Sequence, residues 1–258
     1  MKKIHFLLTM LLPVTALAEG VFDGTWKTDL KSVQFSSKPD VFELKNGTYK
    51  CQTCTPSFTI KADGTDQKVS GHSYYDTVAV KEVDAKTIEV TSKLGGKVIN
   101  SSTVKVSDDG NTATDSYKNM MGSEVVSGTT VMKRVGPGAA GAHAVSGSWK
   151  GEKVPEYSDV GATITYKMTD NGLQMNWNGT SYDAKFDGKK YLTANDPGKT
   201  WVSLKRISKD TIEETDTNDG KVTGIVKSTV TPDGKAINVV FTDPRRGTTM
   251  QYKMIKQP

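Results

Sequence analysis

Two cysteines give this sequence its clearest opening to redox or metal chemistry. Cys51 and Cys54 are its only cysteines, three positions apart, with Pro56 close behind. A redox pair of this kind needs a helix N-terminus to stabilise a thiolate, and the residues on either side read as strand and turn. Structural zinc wants four ligands. Cys51, Cys54 and His72 supply three, with no second pair at metal spacing, and haem attachment would require His where Thr55 stands. The expectation is a disulfide stapling a short loop in an oxidising compartment. Its contribution is about 1 to 3 kcal/mol, because little chain is closed. No metal and no cofactor is expected.

Other candidates for chemistry are thinner. Beyond residue 18 the histidines are His72 and His143, which leaves little for a triad or a metal cluster. No nucleophile elbow, zinc-protease motif or phosphate-cradling loop is found. Asp216-Thr217-Asn218-Asp219-Gly220 has some likeness to a calcium loop, but its glycine comes one place early and Lys227 stands where a bidentate Glu belongs. A hairpin turn is expected there. Tyr74-Tyr75-Asp76 with Asp183 would make a polar cluster at a pocket mouth; cross-strand aromatic pairing is the preferred alternative. No enzyme is expected. With 34 basic and 29 acidic side chains and no basic block, the formal charge of +5 implies no nucleic-acid partner.

The elements that must position these residues read as strands joined by tight turns. Asn46-Gly47, Asp63-Gly64, Asp109-Gly110, Asn171-Gly172, Asp187-Gly188, Asp219-Gly220 and Asp233-Gly234 are Asx-Gly pairs, which favour two-residue hairpins. Between them run short stretches rich in Val, Ile, Thr and Tyr, such as 76–83, 87–91, 98–106 and 221–230. The class is all-β, and Leu30 to Phe35 and Val154 to Asp159 are the only segments that suggest a helical turn. One face of 98–106 presents Val98, Ser102 and Val104, and the matching face of 221–230 presents Val222, Val226 and Ser228. These six residues are the pocket candidates. Lysines on the opposite faces argue against a lipid-facing porin wall.

The chain is also a duplication. Gly24-Thr25-Trp26-Lys27 returns as Gly147-Ser148-Trp149-Lys150, and Thr87-Ile88-Glu89 as Thr211-Ile212-Glu213. Such long copies must each close a core of their own. The expected units are residues 19–135 and 144–258, joined by a Gly/Ala/Pro linker over 136–143. Residues 1–18 carry Lys2 and Lys3, an apolar run and Ala16-Leu17-Ala18, the pattern of a cleaved signal peptide. Glu19 stands where lipid attachment would require Cys, and the apolar run is too short to span a bilayer. The expected location is periplasmic or secreted, with no membrane embedding.

Up-and-down hairpins dispose of their edges most simply by closing into a barrel. Gly24-Thr25-Trp26 and Gly147-Ser148-Trp149 resemble the Gly-X-Trp signature on the first strand of lipocalins and fatty-acid-binding proteins. The rest of each copy, including Tyr49 to Cys54, Gly71 to Thr77 and Asp210 to Thr215, is similar to a group of secreted bacterial lipocalin-like proteins of unassigned function. The resemblance implies two tandem antiparallel up-and-down β-barrels. It implies a structural plug in each, a tryptophan covered by a cation from the last strand: Trp26 under Lys133 or Arg134, and Trp149 under Lys253. The Arg-X-Tyr clamp for a fatty-acid carboxylate is missing. Two functions follow as expectations. One is a binding protein carrying a small apolar or amphipathic molecule in one or both barrels. The other is an envelope-associated structural or interaction module with filled barrels and no ligand. Oligomeric state is left open.

Overall fold

The computed structural model describes residues 20–258, so the expected signal peptide lies outside the described residues. The first half of the chain forms β1 (Gly24–Gln34), β2 (Asp40–Lys45), β3 (Thr48–Cys51), β4 (Phe58–Lys61), β5 (Gln67–Lys68), β6 (Thr77–Asp84), β7 (Thr87–Leu94), β8 (Lys97–Val106), β9 (Thr112–Asn119) and β10 (Val126–Pro137). The second half forms β11 (Gly147–Tyr157), α1 (Asp159–Ala162), β12 (Thr163–Thr169), β13 (Gly172–Trp177), β14 (Thr180–Lys185), β15 (Tyr191–Leu192), β16 (Trp201–Arg206), β17 (Thr211–Asn218), β18 (Lys221–Val230), β19 (Ala236–Asp243) and β20 (Thr248–Lys256). These make two ten-stranded antiparallel sheets, each curled into a nearly closed barrel. Single bridges, Asp63 to Lys81 and Ser181 to Ala194, help draw the open edges together.

Sequence repeat and barrel are out of step by one strand. β1 pairs with β12 and β20, whereas β11 pairs with β10 and β2. Barrel I is therefore β2 to β11, and barrel II is β1 together with β12 to β20. The units 19–135 and 144–258 each give up their first strand to the other. β1 and β11 begin alike, with Gly24-Thr25-Trp26-Lys27 and Gly147-Ser148-Trp149-Lys150, and each supplies the tryptophan of the barrel it enters. The connection between β10 and β11 holds β11 in barrel I. Pro137 pairs with Gly147, so 138–146 is the loop of a hairpin inside barrel I and not a flexible linker. The loop is fastened: the His143 N–H donates to the Leu44 carbonyl at 2.8 Å, and Gly138 lies where a Cβ would meet Ser146 at 2.6 Å. With β11 held there, β1 is left to close barrel II.

Of the two expected helical turns, the first is strand, and the second is strand up to Tyr157, with a helical turn starting only at Asp159. Leu30 to Gln34 continue β1, with Gln34 paired to Gln251 of β20, Phe35 follows it, and Val154 to Tyr157 continue β11, with Glu156 and Tyr157 paired to Thr129 and Gly128 of β10. The one helix among the described residues is the single turn α1. Asn46-Gly47 and Asp219-Gly220 form the expected two-residue hairpins, both residues of each at positive φ. Asp63, Asp109, Asp187 and Asp233 instead sit in longer turns, each carboxylate accepting from the N–H two residues on. Asn171-Gly172 differs again, since Gly172 already pairs with Thr169 as the first residue of β13.

Each barrel has its own core. Barrel I packs Leu44, Ile60, Val78, Val80, Ile88, Val106 and Trp149; barrel II packs Phe22, Trp26, Leu173, Leu204, Ile212, Ile237 and Met254. No helix among the described residues is long and apolar enough to cross a membrane.

Candidate functional site

The two tryptophans are plugs, as expected, but their covers are crossed. Trp26 is 0% exposed and Trp149 1%. Each indole N–H donates to the carbonyl four residues back, Phe22 at 2.9 Å and Val145 at 2.8 Å. Arg134 lies 4.1 Å from the Trp149 ring centroid, and Lys256 lies 5.6 Å from that of Trp26. The expected partners, Lys133 or Arg134 for Trp26 and Lys253 for Trp149, are thus corrected on both counts. Strand exchange moved each tryptophan to the other barrel. Strand parity did the rest, since Lys253 alternates with the inward Met254 and pairs with Asp29 on the outer side. Arg134 also donates to the carbonyls of Gly110, Ser146 and Ala144, so it seals that end of barrel I.

Cys51 and Cys54 are joined in a disulfide with Cα atoms 5.5 Å apart. Cys51 belongs to the core of barrel I, and the loop it closes leads to Thr55, whose backbone hydrogen-bonds His72. The staple reading stands. His72 stacks on Tyr75 with ring centroids 4.3 Å apart. Burial lowers its pKa, with Arg245 adding to the effect, so the neutral imidazole is favoured.

The six pocket candidates are not brought together. Val104 packs against the core of barrel I and Val226 against that of barrel II, while Ser228 is buried. Ser102 borders a groove of about 890 Å³ that also takes in residues of the polar outer face. Val222 is 39% exposed and Val98 gives its expected inward place to Ile99, which is 5% exposed. The cause is a bulge in each copy, between Ser92 and Lys93 in one and Asp216 and Thr217 in the other. One extra residue flips the alternation, so a parity argument carried through a bulge assigns the wrong face.

The sequence reading missed the buried acids. In barrel II, Glu214 and Asp216 lie inside among Tyr166, Tyr182 and Tyr252, and the Tyr182 hydroxyl donates to Glu214. Burial pushes both carboxyl pKa values up, Glu214 further because Asp216 lies beside it. The raised pKa favours the protonated form of Glu214 beside Asp216, whose Oδ1 has no hydrogen-bond partner among the described residues. In barrel I, burial raises Asp115 to about 6, against a hydrogen bond from Ser102 that lowers it. The signal was present in the alternation of β17, where Ile212, Glu214 and Asp216 share a face.

Cavities lie where the barrels meet. One, of about 380 Å³, is lined by His72, Tyr74 and Tyr75 from barrel I and by Asp216, Phe241 and Arg245 from barrel II. Tyr74 crosses the junction: its hydroxyl is 2.7 Å from Thr200 Oγ1, and its ring fills the space where a Cβ on Gly198 would sit. Asp76 and Asp183, expected beside these tyrosines, are elsewhere. Asp76 accepts from Gly95 N–H at 2.8 Å, and Asp183 accepts from Gln174 on the outside of barrel II. Arg245 is held by Asp243, and Arg246 pairs with Asp40 across the junction.

The second cavity, of about 480 Å³, is formed by the exchanged strands themselves. Leu30 and Val33 of β1, Phe35, Val154 of β11, Ile164, Trp177, Met250 and Met254 make apolar walls, and Tyr117, Tyr157 and Tyr252 add phenols. Burial pushes Tyr117 and Tyr252 up to about 12, so they remain neutral hydrogen-bonding groups. Its size falls in the range of small-molecule sites, and its lining joins apolar surface to a few polar tips. No protein-family model matches the sequence, and no curated protein matches it either.

Proposed function

We propose that this chain is a secreted or periplasmic binding protein for a small apolar or amphipathic molecule, seated in the cavity between the barrels. The observation that carries the reading is the cavity of about 480 Å³ walled by Leu30, Val33, Phe35, Ile164, Trp177 and Met250. Apolar surface of this kind binds by release of water, at about 25 cal/mol per Å² of area covered. The tyrosine hydroxyls are placed to meet one polar end of a ligand. The lipocalin resemblance supports carriage in general; the geometry favours the junction over the barrel interiors, which are packed around their tryptophans.

Titration with a polarity-sensitive hydrophobic fluorophore tests this. The native protein should enhance its emission, and Val154→Phe, which fills the cavity, should abolish the gain without lowering the melting temperature. No enhancement with the native protein, or enhancement untouched by Val154→Phe, overturns the proposal. The second reading, an envelope-associated structural module, draws its support from those same packed interiors and would then be preferred.

A further inference from the structure

The outer face of barrel II carries an apolar row outside its core, one end of which, Leu192, also borders a groove of about 580 Å³ with Ser181 and Asp183. Leu192 and Trp201 are directly paired neighbours on β15 and β16, 50% and 43% exposed. Trp201 pairs in turn with Thr217, and Thr217 with Val222, which the bulge in β17 and β18 turns outward to 39% exposure. Thr217 between them is only 4% exposed, although it sits in the same row. Leu192, Trp201 and Val222 are thus the exposed apolar positions of one cross-strand row over four strands, next to the weakly paired edge of the sheet.

Cations frame the strip. Lys190 precedes β15, Lys199 precedes β16 and Lys221 opens β18, all exposed and in no ion pair among the described residues. Asp219, at the tip of the β17 to β18 turn, is the exposed acid within the same turn as Lys221. An indole flanked by aliphatic side chains suits the boundary between headgroups and acyl chains, where one part of the ring is dry and the N–H is wet. Unpaired lysines beside it favour a negatively charged surface.

We propose that this strip docks barrel II onto an anionic lipid surface, with Trp201 inserted at headgroup depth and Lys190, Lys199 and Lys221 lying against the phosphates. This surface is separate from the cavity between the barrels and independent of what that cavity holds. The charge complementarity of three unpaired lysines selects an anionic bilayer over an apolar protein groove as the occupant.

Co-sedimentation with vesicles of phosphatidylcholine alone and of phosphatidylcholine mixed with phosphatidylglycerol tests it, with tryptophan emission as a second readout. The full chain should bind the mixed vesicles, weakly or not at all the neutral ones, with a blue shift in emission and loss of binding as salt is raised. Trp201→Ala should remove most of the binding and the blue shift. Lys199→Glu and Lys221→Glu should each weaken binding by about fivefold or more. Both lysines are exposed, so these variants stay folded even if Trp201→Ala does not. Equal binding to both vesicle types, no binding to either, or full binding by the lysine variants would refute the proposal. So would concentration-dependent self-association that Lys199→Glu leaves intact and Trp201→Ala abolishes, which would make the strip a contact between copies of this chain.

Discussion

Replacing Trp26 by Ala should melt the barrel encoded mainly by the second half of the chain and spare the one encoded by the first. Trp26 is 0% exposed, and cutting a buried tryptophan to Ala costs about 3 to 5 kcal/mol in lost transfer and cavity energy. Loss of the 2.9 Å bond from its indole N–H leaves the Phe22 carbonyl unpaired, about 1 kcal/mol more. Against the usual 5 to 15 kcal/mol for a domain, a total of about 4 to 6 kcal/mol is most of the stability of barrel II. Amide hydrogen exchange read by mass spectrometry on the full chain separates the barrels. Opening should rise about a thousand-fold or more in β17 and β18, while β7 and β8 keep their protection. Trp149→Ala should give the mirror result. If Trp26→Ala instead exposed β7 and β8 and left β17 and β18 protected, the strand exchange would be wrong.

Further outcomes follow from individual residues. Asp115 has its folded pKa raised from 3.8 to about 6, so its favourable contribution is present below about pH 4 and lost as pH rises through 6, about 3 kcal/mol in all. Asp115→Asn should therefore stabilise barrel I in urea at pH 7.5 and change little at pH 4; equal effects at both would contradict the burial argument. Arg134→Ala should lower the stability of barrel I by about 2 to 3 kcal/mol, since it removes the ring contact and leaves three carbonyls without their charged donor. Thermal denaturation should show a matching shift confined to barrel I. Reducing Cys51–Cys54 should cost about 2 kcal/mol, the loop being only a few residues, and calorimetry with and without reductant should place that loss in barrel I alone.

Much of this protein is legible in its sequence, because local chemistry fixes it. Hairpins at Asn46-Gly47 and Asp219-Gly220 follow from the positive φ that those pairs tolerate, and the all-β class follows from short β-branched runs between turns. The disulfide follows from two lone thiols three apart, and the burial of Trp26 and Trp149 from their place at the head of each repeat. The failures share one cause: each depended on which distant strand a segment meets. β1 and β11 open with the same Gly-X-Trp-Lys pattern and close equivalent edges, so that motif does not tell which barrel each will close. Val98 and Val222 keep perfect alternation in the sequence, yet a bulge set by the partner strand turns Val222 to solvent and gives the inward place of Val98 to Ile99. The cavity walled by Leu30, Val154, Trp177 and Tyr252 draws on strands far apart in the chain. Local backbone preference is a property of neighbouring residues and can be read in order; the choice among equivalent edges, and the space left between two barrels, exists only once long-range pairing has been made.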